Sequence, residues 1–208
     1  MTALAQRRSR SIRRQGPVVA LLGPDGAGKG TIIAGLRREM PTAYTVIYLG
    51  RPRRRPGEPE RDRSLHGWSG VLLESAFVFR RVLRAWRILI PGYLAAWRGQ
   101  IVLCDRHPIE TLAIRPRQTR TAAWLERLLF GRLTPRPDLV LVLNAPGETL
   151  YARKGEHSPE ILESLRRRYV DVFAPLGAVV ISTEQSVERS VAEASEAIRN
   201  ANEARHHR

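Results

Sequence analysis

Apolar positions in this chain fall into two repeating kinds of pattern. Short unbroken runs occur at Val18–Leu22, Tyr44–Leu49, Ile101–Asp105, Asp138–Leu143 and Ala178–Ile181. They are rich in β-branched and aromatic residues and lack polar alternation, which predicts strands buried on both faces, as in a parallel sheet. Between them, apolar residues recur at helical spacing. One helix is expected from the end of the first run to about Met40, and another from Trp68 to about Ile90. In the second, Leu72, Leu73, Ala76, Phe77, Phe79, Leu83, Trp86 and Ile90 form the apolar stripe, with Arg80, Arg84 and Arg87 elsewhere on its surface. A separate short helix is expected from about Gly92 to Trp97, and further ones at about Thr121–Phe130 and Glu148–Arg153. Ser158-Pro159-Glu160 is a helix start signal, followed by a buried face of Ile161, Leu165, Tyr169 and Phe173. A final helix carries Val187, Val191, Ala194 and Ile198.

Strands alternating with helices predict an α/β fold in three layers, a five-stranded parallel sheet with helices on both faces. Ligands in such sheets gather at the carboxyl ends of the strands. Two features of the chain fall on that edge. The first is Gly23-Pro-Asp-Gly-Ala-Gly-Lys-Gly-Thr31, a glycine-rich turn between the first strand and its helix. Gly23, Gly26, Ala27, Gly28, Lys29, Gly30 and Thr31 then read as a phosphate-binding loop of Walker A type, its backbone amides and Lys29 directed at a triphosphate. The Gly-Lys-Gly-Thr ending is the variant of adenylate-kinase-type enzymes. The second is Asp105, which closes the third strand in the Walker B manner and is placed to hold Mg2+ through water.

The chain's 208 residues suit one well-cored domain, expected over residues 16–204 behind a basic tail at 1–15. The formal charge of +15 is almost all arginine, Lys29 and Lys154 being the lysines. Arginine-rich faces of this kind read either as solvated surface or as a contact with phosphate-rich partners, nucleic acid or an anionic lipid surface. A segment at 50–67 is broken by Pro52, Pro56 and Pro59, carries Arg51, Arg53, Arg54, Arg55, Arg61 and Arg63, and is expected to be a mobile loop. For the basic amphipathic stretch after Trp68, core packing is the favoured explanation over a membrane-surface role. Apolar runs stop short of the roughly 18 residues that span a bilayer. The lone Cys104 lies in an apolar run and reads as a core thiol in a reducing cytoplasm.

Gly-Pro-Asp-Gly-Ala-Gly-Lys at the loop, Asp105-Arg106-His107 after the third strand and Arg153-Lys154-Gly-Glu after the fourth resemble thymidylate kinase and its bacterial thymidylate-kinase-like relatives. The likeness runs from about residue 17 to 200. It implies a P-loop kinase fold that uses ATP and Mg2+ to phosphorylate a nucleoside monophosphate such as dTMP. It also implies roles: Lys29 and the loop amides on the ATP phosphates, Asp25 near the acceptor sugar, and Asp105 on Mg2+ water. Arg106 would clamp the acceptor phosphate, and Arg153 would act from a lid segment at 153–160. Arg51 and Arg80 are nominated for the acceptor. The sequence departs from the family at Gly30, which replaces the usual hydroxyl, and at His107, which stands in place of Tyr. The loop after the second strand departs as well. Two other readings accompany the nucleotide kinase: a kinase acting on a hydroxyl of a sugar, nucleoside or other metabolite, and a nucleotide-switched nucleic-acid-binding protein. A homodimer stays open, and nucleic acid is the less favoured partner.

Overall fold

A computed structural model describes residues 15–39, 44–50, 68–114, 120–155 and 157–206. Residues 1–14 of the expected basic tail, residues 51–67 of the arginine-rich loop, Arg51 among them, and residue 156 of the expected lid segment lie outside them. Five strands form one parallel sheet: β1 (Val18–Leu22), β2 (Tyr44–Tyr48), β3 (Ile101–Asp105), β4 (Leu139–Asn144) and β5 (Val179–Ser182), in the order β2-β3-β1-β4-β5. Each apolar run named from the sequence is thus a strand. The helices are α1 (Lys29–Glu39), α2 (Trp68–Trp97), α3 (Arg120–Arg132), α4 (Gly147–Lys154), α5 (Pro159–Phe173) and α6 (Val187–His206).

β1 is buried throughout because both its faces are covered. Val19 and Leu21 join Leu103, Leu141, Leu143 and Ile181 against Ile32 and Leu36 of α1 and Val191 and Ala194 of α6. On the other face Val18 packs with Val102, Cys104 and Leu89 of α2, while Ala20 and Leu22 pack with Val142 and with Tyr169 and Phe173 of α5. Cys104 is fully buried and burial pushes its thiol up to about 12, in keeping with a core residue. The chain passes from β3 on one side of β1 to β4 on the other, so β1 lies where the winding reverses, and the crevice of such sheets opens there.

Three expectations about helices are corrected. The stretch after Trp68 is one helix of 30 residues, with Pro91 inside it, and not two helices. Its buried face is Val78, Val82, Ala85 and Leu89. The apolar stripe chosen from the sequence is largely on the outside: Leu72 is 71% exposed, Phe79 55% and Leu83 51%. Two apolar stripes share this helix, and periodicity cannot tell which one meets α3 and the sheet. In α5, Tyr169 and Phe173 are buried as expected, but at the start of the helix Leu162 is buried in place of the exposed Ile161.

The assignment of faces on α2 has a direct test. Leu89→Ala removes a side chain with 1% exposure from the core, and is expected to lower the free energy of unfolding by about 3 kcal/mol. Leu83→Ala on the outer face should change it by less than about 0.5 kcal/mol. Equal losses by urea denaturation would mean that the inner and outer faces are wrongly assigned.

Candidate functional site

Parallel pairing between β1 and β3 sets Leu21 beside Asp105. The glycine loop leaving β1 and the Asp105-Arg106 pair leaving β3 are therefore neighbours at one edge of the sheet. The loop fits closely against its surroundings. A Cβ on Gly23 would come 2.8 Å from the carbonyl oxygen of Leu143, and one on Gly26 2.7 Å from that of Leu150. Both residues also have positive φ, so glycine is required twice over. Ala27 is fully buried, while Gly30 and Thr31 are exposed at the start of α1.

Lys29 turns back into the loop. Its Nζ donates to the carbonyl oxygens of Gly23, at 2.8 Å, and Pro24, at 2.9 Å. Only 8% of the residue is exposed. Burial, reinforced by the nearby Arg106 charge, brings its ammonium down to about 8, against the opposing pull of Glu110, Asp25 and Asp105.

Arg106 is the single non-glycine residue with positive φ, 69°, among the described residues. That conformation costs about 1–2 kcal/mol for an L-residue, and its side chain joins two carboxylates. Nη2 donates to Asp25 Oδ1 at 2.5 Å, and Nη1 to Glu110 Oε2 at 3.4 Å. Burial works against the guanidinium charge, but Glu110 and Asp25 outweigh it, and the pKa rises. Asp25 receives a second cation, Lys154, at 3.4 Å. Although burial opposes its ionisation, Arg106, Lys29 and Lys154 hold its carboxyl below the usual range.

Asp105 differs. Its Oδ1 is buried with no hydrogen-bond partner, and burial raises its pKa despite Lys29 and Arg106 nearby. An orphaned carboxylate oxygen beside a phosphate-type loop suits Mg2+, which keeps most of its waters and needs only one or two protein carboxylates. Among the described residues no cluster of three or more potential ligands could hold a metal by itself, so the remaining ligands would have to be water and phosphate.

The basic residue Arg153 of α4 reaches the glycine loop and its neighbours. Arg153 Nη1 approaches the Gly26 carbonyl oxygen at 3.5 Å and Thr183 Oγ1 at 3.2 Å, while Nη2 donates to the Thr183 carbonyl at 2.7 Å. It ties α4 to the glycine loop and to the turn after β5. Of the residues named from the sequence, Asp25, Lys29, Asp105, Arg106 and Arg153 converge on one edge. Arg80 is exposed on α2, and among the described residues no hydrogen bond or ion pair joins it to this cluster. The sequence reading did not single out Glu110, Thr183 or the Lys154–Asp25 contact. Glu110 had a legible signal, four residues after Arg106 at a spacing that brings side chains together on one turn.

His107, next to Arg106, caps a 3-10 turn, Pro108–Leu112. Its Nδ1 accepts from the Ile109 amide at 3.3 Å, and its Nε2 is buried without a partner. Burial lowers its pKa to about 4. The folded imidazole thus stays neutral down to about pH 4, while in the unfolded chain it gains a proton near 6.5. The unfolded state binds more protons in between, so stability falls as pH drops across this window and levels off below it. The expected contribution is on the order of 3 kcal/mol. His107→Gln should flatten the dependence of unfolding free energy on pH between about 6.5 and 4 relative to the parent. An unchanged slope would contradict a buried, neutral His107.

No protein-family model and no curated protein sequence matches the chain. Among solved structures, it is similar to thymidylate kinase from Candida albicans, with a TM-score of 0.62 and 15% sequence identity, over 90% of this chain and 93% of the other. The fold is thus thymidylate-kinase-like, a five-stranded parallel sheet between helices.

Proposed function

We propose that this chain is a phosphotransferase that moves the γ-phosphoryl group of ATP to a nucleoside monophosphate of the dTMP type. The observation that carries this reading is the meeting of Lys29, Asp25, Asp105 and Arg106 at the switch point of the sheet. Phosphoryl transfer asks the protein mainly for position and positive charge around the transferred group. The glycine loop at the N-terminus of α1 offers backbone amides to the phosphates, and Lys29 offers a compact charge. Its ammonium already has partners in two loop carbonyls, which are the contacts a triphosphate would replace or share.

Asp105 would hold Mg2+ through water, and the ion when bound neutralises charge on the phosphate oxygens. Gly30 offers no hydroxyl to the metal. Arg106, held by Asp25 and Glu110, is a planar donor suited to bidentate contact with a phosphate on the acceptor. Asp25 can share its charge between Arg106, Lys154 and an acceptor hydroxyl. Arg153 keeps α4 against the glycine loop and belongs to the same basic rim.

Transfer of labelled γ-phosphate, screened over nucleoside monophosphates, nucleosides and sugars, tests the reading. The expected acceptor is a monophosphate, and Lys29→Met should lower turnover by on the order of 10³ while the chain stays folded. Transfer only to an unphosphorylated hydroxyl would move the acceptor to the second class of kinase. No transfer to any acceptor, with Lys29→Met indistinguishable from the parent, would contradict the proposal. The pH profile adds a sign. Because Lys29 loses its proton near pH 8 in the folded chain, affinity for the triphosphate in the binding step should fall as pH rises through that value.

Gly30 supplies another expectation. Nothing lies within 4 Å of a Cβ placed there, so Gly30→Ser fits without repacking. It should leave the thermal midpoint equal to or above the parent's, since serine favours a helix over glycine by a few tenths of a kcal/mol. The hydroxyl should also lower the concentration of Mg2+ that gives half-maximal rate, as read from a metal titration of the transfer assay.

A further inference from the structure

Helix α4 carries Arg153 and Lys154 to the site, yet little in its own sequence holds it there. It has 8 residues, a length that is marginal for a helix standing alone. Pro146 precedes it and no side chain caps its N-terminus locally. The cap comes from α5 instead. Glu163 Oε2 accepts from the Gly147 amide at 3.2 Å, which sets a carboxylate at the N-terminal end of α4. Only glycine allows the two helices so close, since a Cβ at Gly147 would stand 2.2 Å from the Pro159 carbonyl oxygen. Glu163 is held in turn by Arg166, whose Nε donates to Oε2 at 2.7 Å and whose Nη2 donates to Oε1 at 2.6 Å. Arg166 Nη1 donates to the side-chain oxygen of Asn144, the last residue of β4, at 2.9 Å. Arg167 also reaches Glu163, but its side chain is 69% exposed against 24% for Arg166, and an exposed pair adds little.

These contacts close into a ring. The Asn144 carbonyl oxygen accepts from the Thr183 amide at 2.9 Å, and Thr183 is the residue that Arg153 grips. The path therefore runs from Glu163 to Gly147, along α4 to Arg153, across to Thr183, and back through Asn144 and Arg166. We infer that Glu163 and Arg166 are positioning residues for phosphoryl transfer, which cap α4, join it to the end of β4 and so set Arg153 against the glycine loop. This rests on the reading of that loop as a nucleotide site. Among the described residues no hydrogen bond or ion pair joins Glu163 or Arg166 to the loop, so their effect passes through α4. Without its cap a short helix frays from the N-terminus, and the 3.5 Å approach of Arg153 to the Gly26 carbonyl is the longest contact that α4 makes around the ring. Small displacements of this kind matter, because a misplacement of about 1 Å can cost on the order of 10²-fold in rate.

Two measurements on the full chain test this, with circular dichroism melts to verify that each variant stays folded. The first needs no activity. In hydrogen exchange read by mass spectrometry, Glu163→Ala should speed exchange of the α4 amides by about tenfold, the scale of a lost helix cap, while α1 keeps the parent's rate. The second is calorimetric affinity for a Mg2+-bound, non-hydrolysable ATP analogue. Glu163→Ala and Arg166→Gln should each weaken it by about tenfold. Glu163→Gln, which keeps the shape and an acceptor oxygen, should weaken it less. In the Arg153→Ala background, adding Glu163→Ala should bring no further loss, a non-additivity that general destabilisation does not produce. Glu193→Ala, which breaks the surface pair with Arg189 on α6, should leave both measurements at the parent's level. Unchanged exchange in α4 would overturn the inference whether or not the analogue binds. Losses that add in the double variant would overturn it too. A parent that binds the analogue with an affinity that Glu163→Ala leaves unmoved would overturn this inference alone, whereas a parent that binds no analogue would overturn the nucleotide reading and this inference with it.

Discussion

The pairing of β1 with β3 is the constraint from which the rest of the site follows. It makes two segments some eighty positions apart in the chain into neighbours, with Leu21 against Asp105. One residue later, the Arg106 amide donates to the carbonyl oxygen of Leu21. The backbone then turns through a left-handed conformation at Arg106, and the guanidinium reaches back across the strand ends to Asp25. A residue without that turn would point its side chain elsewhere. A costly backbone conformation is kept here because it aims a cation at the glycine loop, and strain of this kind concentrates at functional positions.

The charges at this edge are balanced and unequal in burial. Lys29, Arg106 and Lys154 face Asp25, Asp105 and Glu110 within a small volume. Arg106 and Asp25 hold each other charged. Glu110 and Asp105 are pushed towards their neutral forms by burial, which outweighs the nearby cations. Lys29 is pulled down to about 8 by the same cause. A phosphate entering the loop would bring the negative charge that Lys29 lacks, which is how an anion-binding site differs electrostatically from a structural ion pair. The hydroxyl of Tyr169, buried on α5 next to Glu110, lies behind this group and is held firmly protonated.

The sheet and its loop were legible in the sequence because unbroken apolar runs and glycine spacing are local signals. All five strands lie at their expected places, and the glycine loop and Asp105 are neighbours as their positions at strand ends imply. What the sequence concealed was tertiary. On α2 the residues Leu72, Phe79 and Leu83 are as apolar as Val78, Val82 and Leu89, and only the packing of Val78 and Val82 against α3 and of Leu89 against the sheet decides which set is buried. Pro91 suggested a break, yet the helix runs through it to Trp97. Glu110 and Thr183 belong to the site through contacts that cross from one element to another, with partners that no short motif contains.

The central claim is that a triphosphate rests on the glycine loop with Lys29, opposite Asp105. A crystal structure of the chain with Mg2+ and a non-hydrolysable ATP analogue tests it most directly. The account predicts phosphate density on the backbone amides between Gly26 and Thr31, with Lys29 Nζ in contact and the metal's waters at Asp105. Density for the analogue anywhere else, or an analogue at the loop with Asp105 turned away from the phosphates, would contradict it.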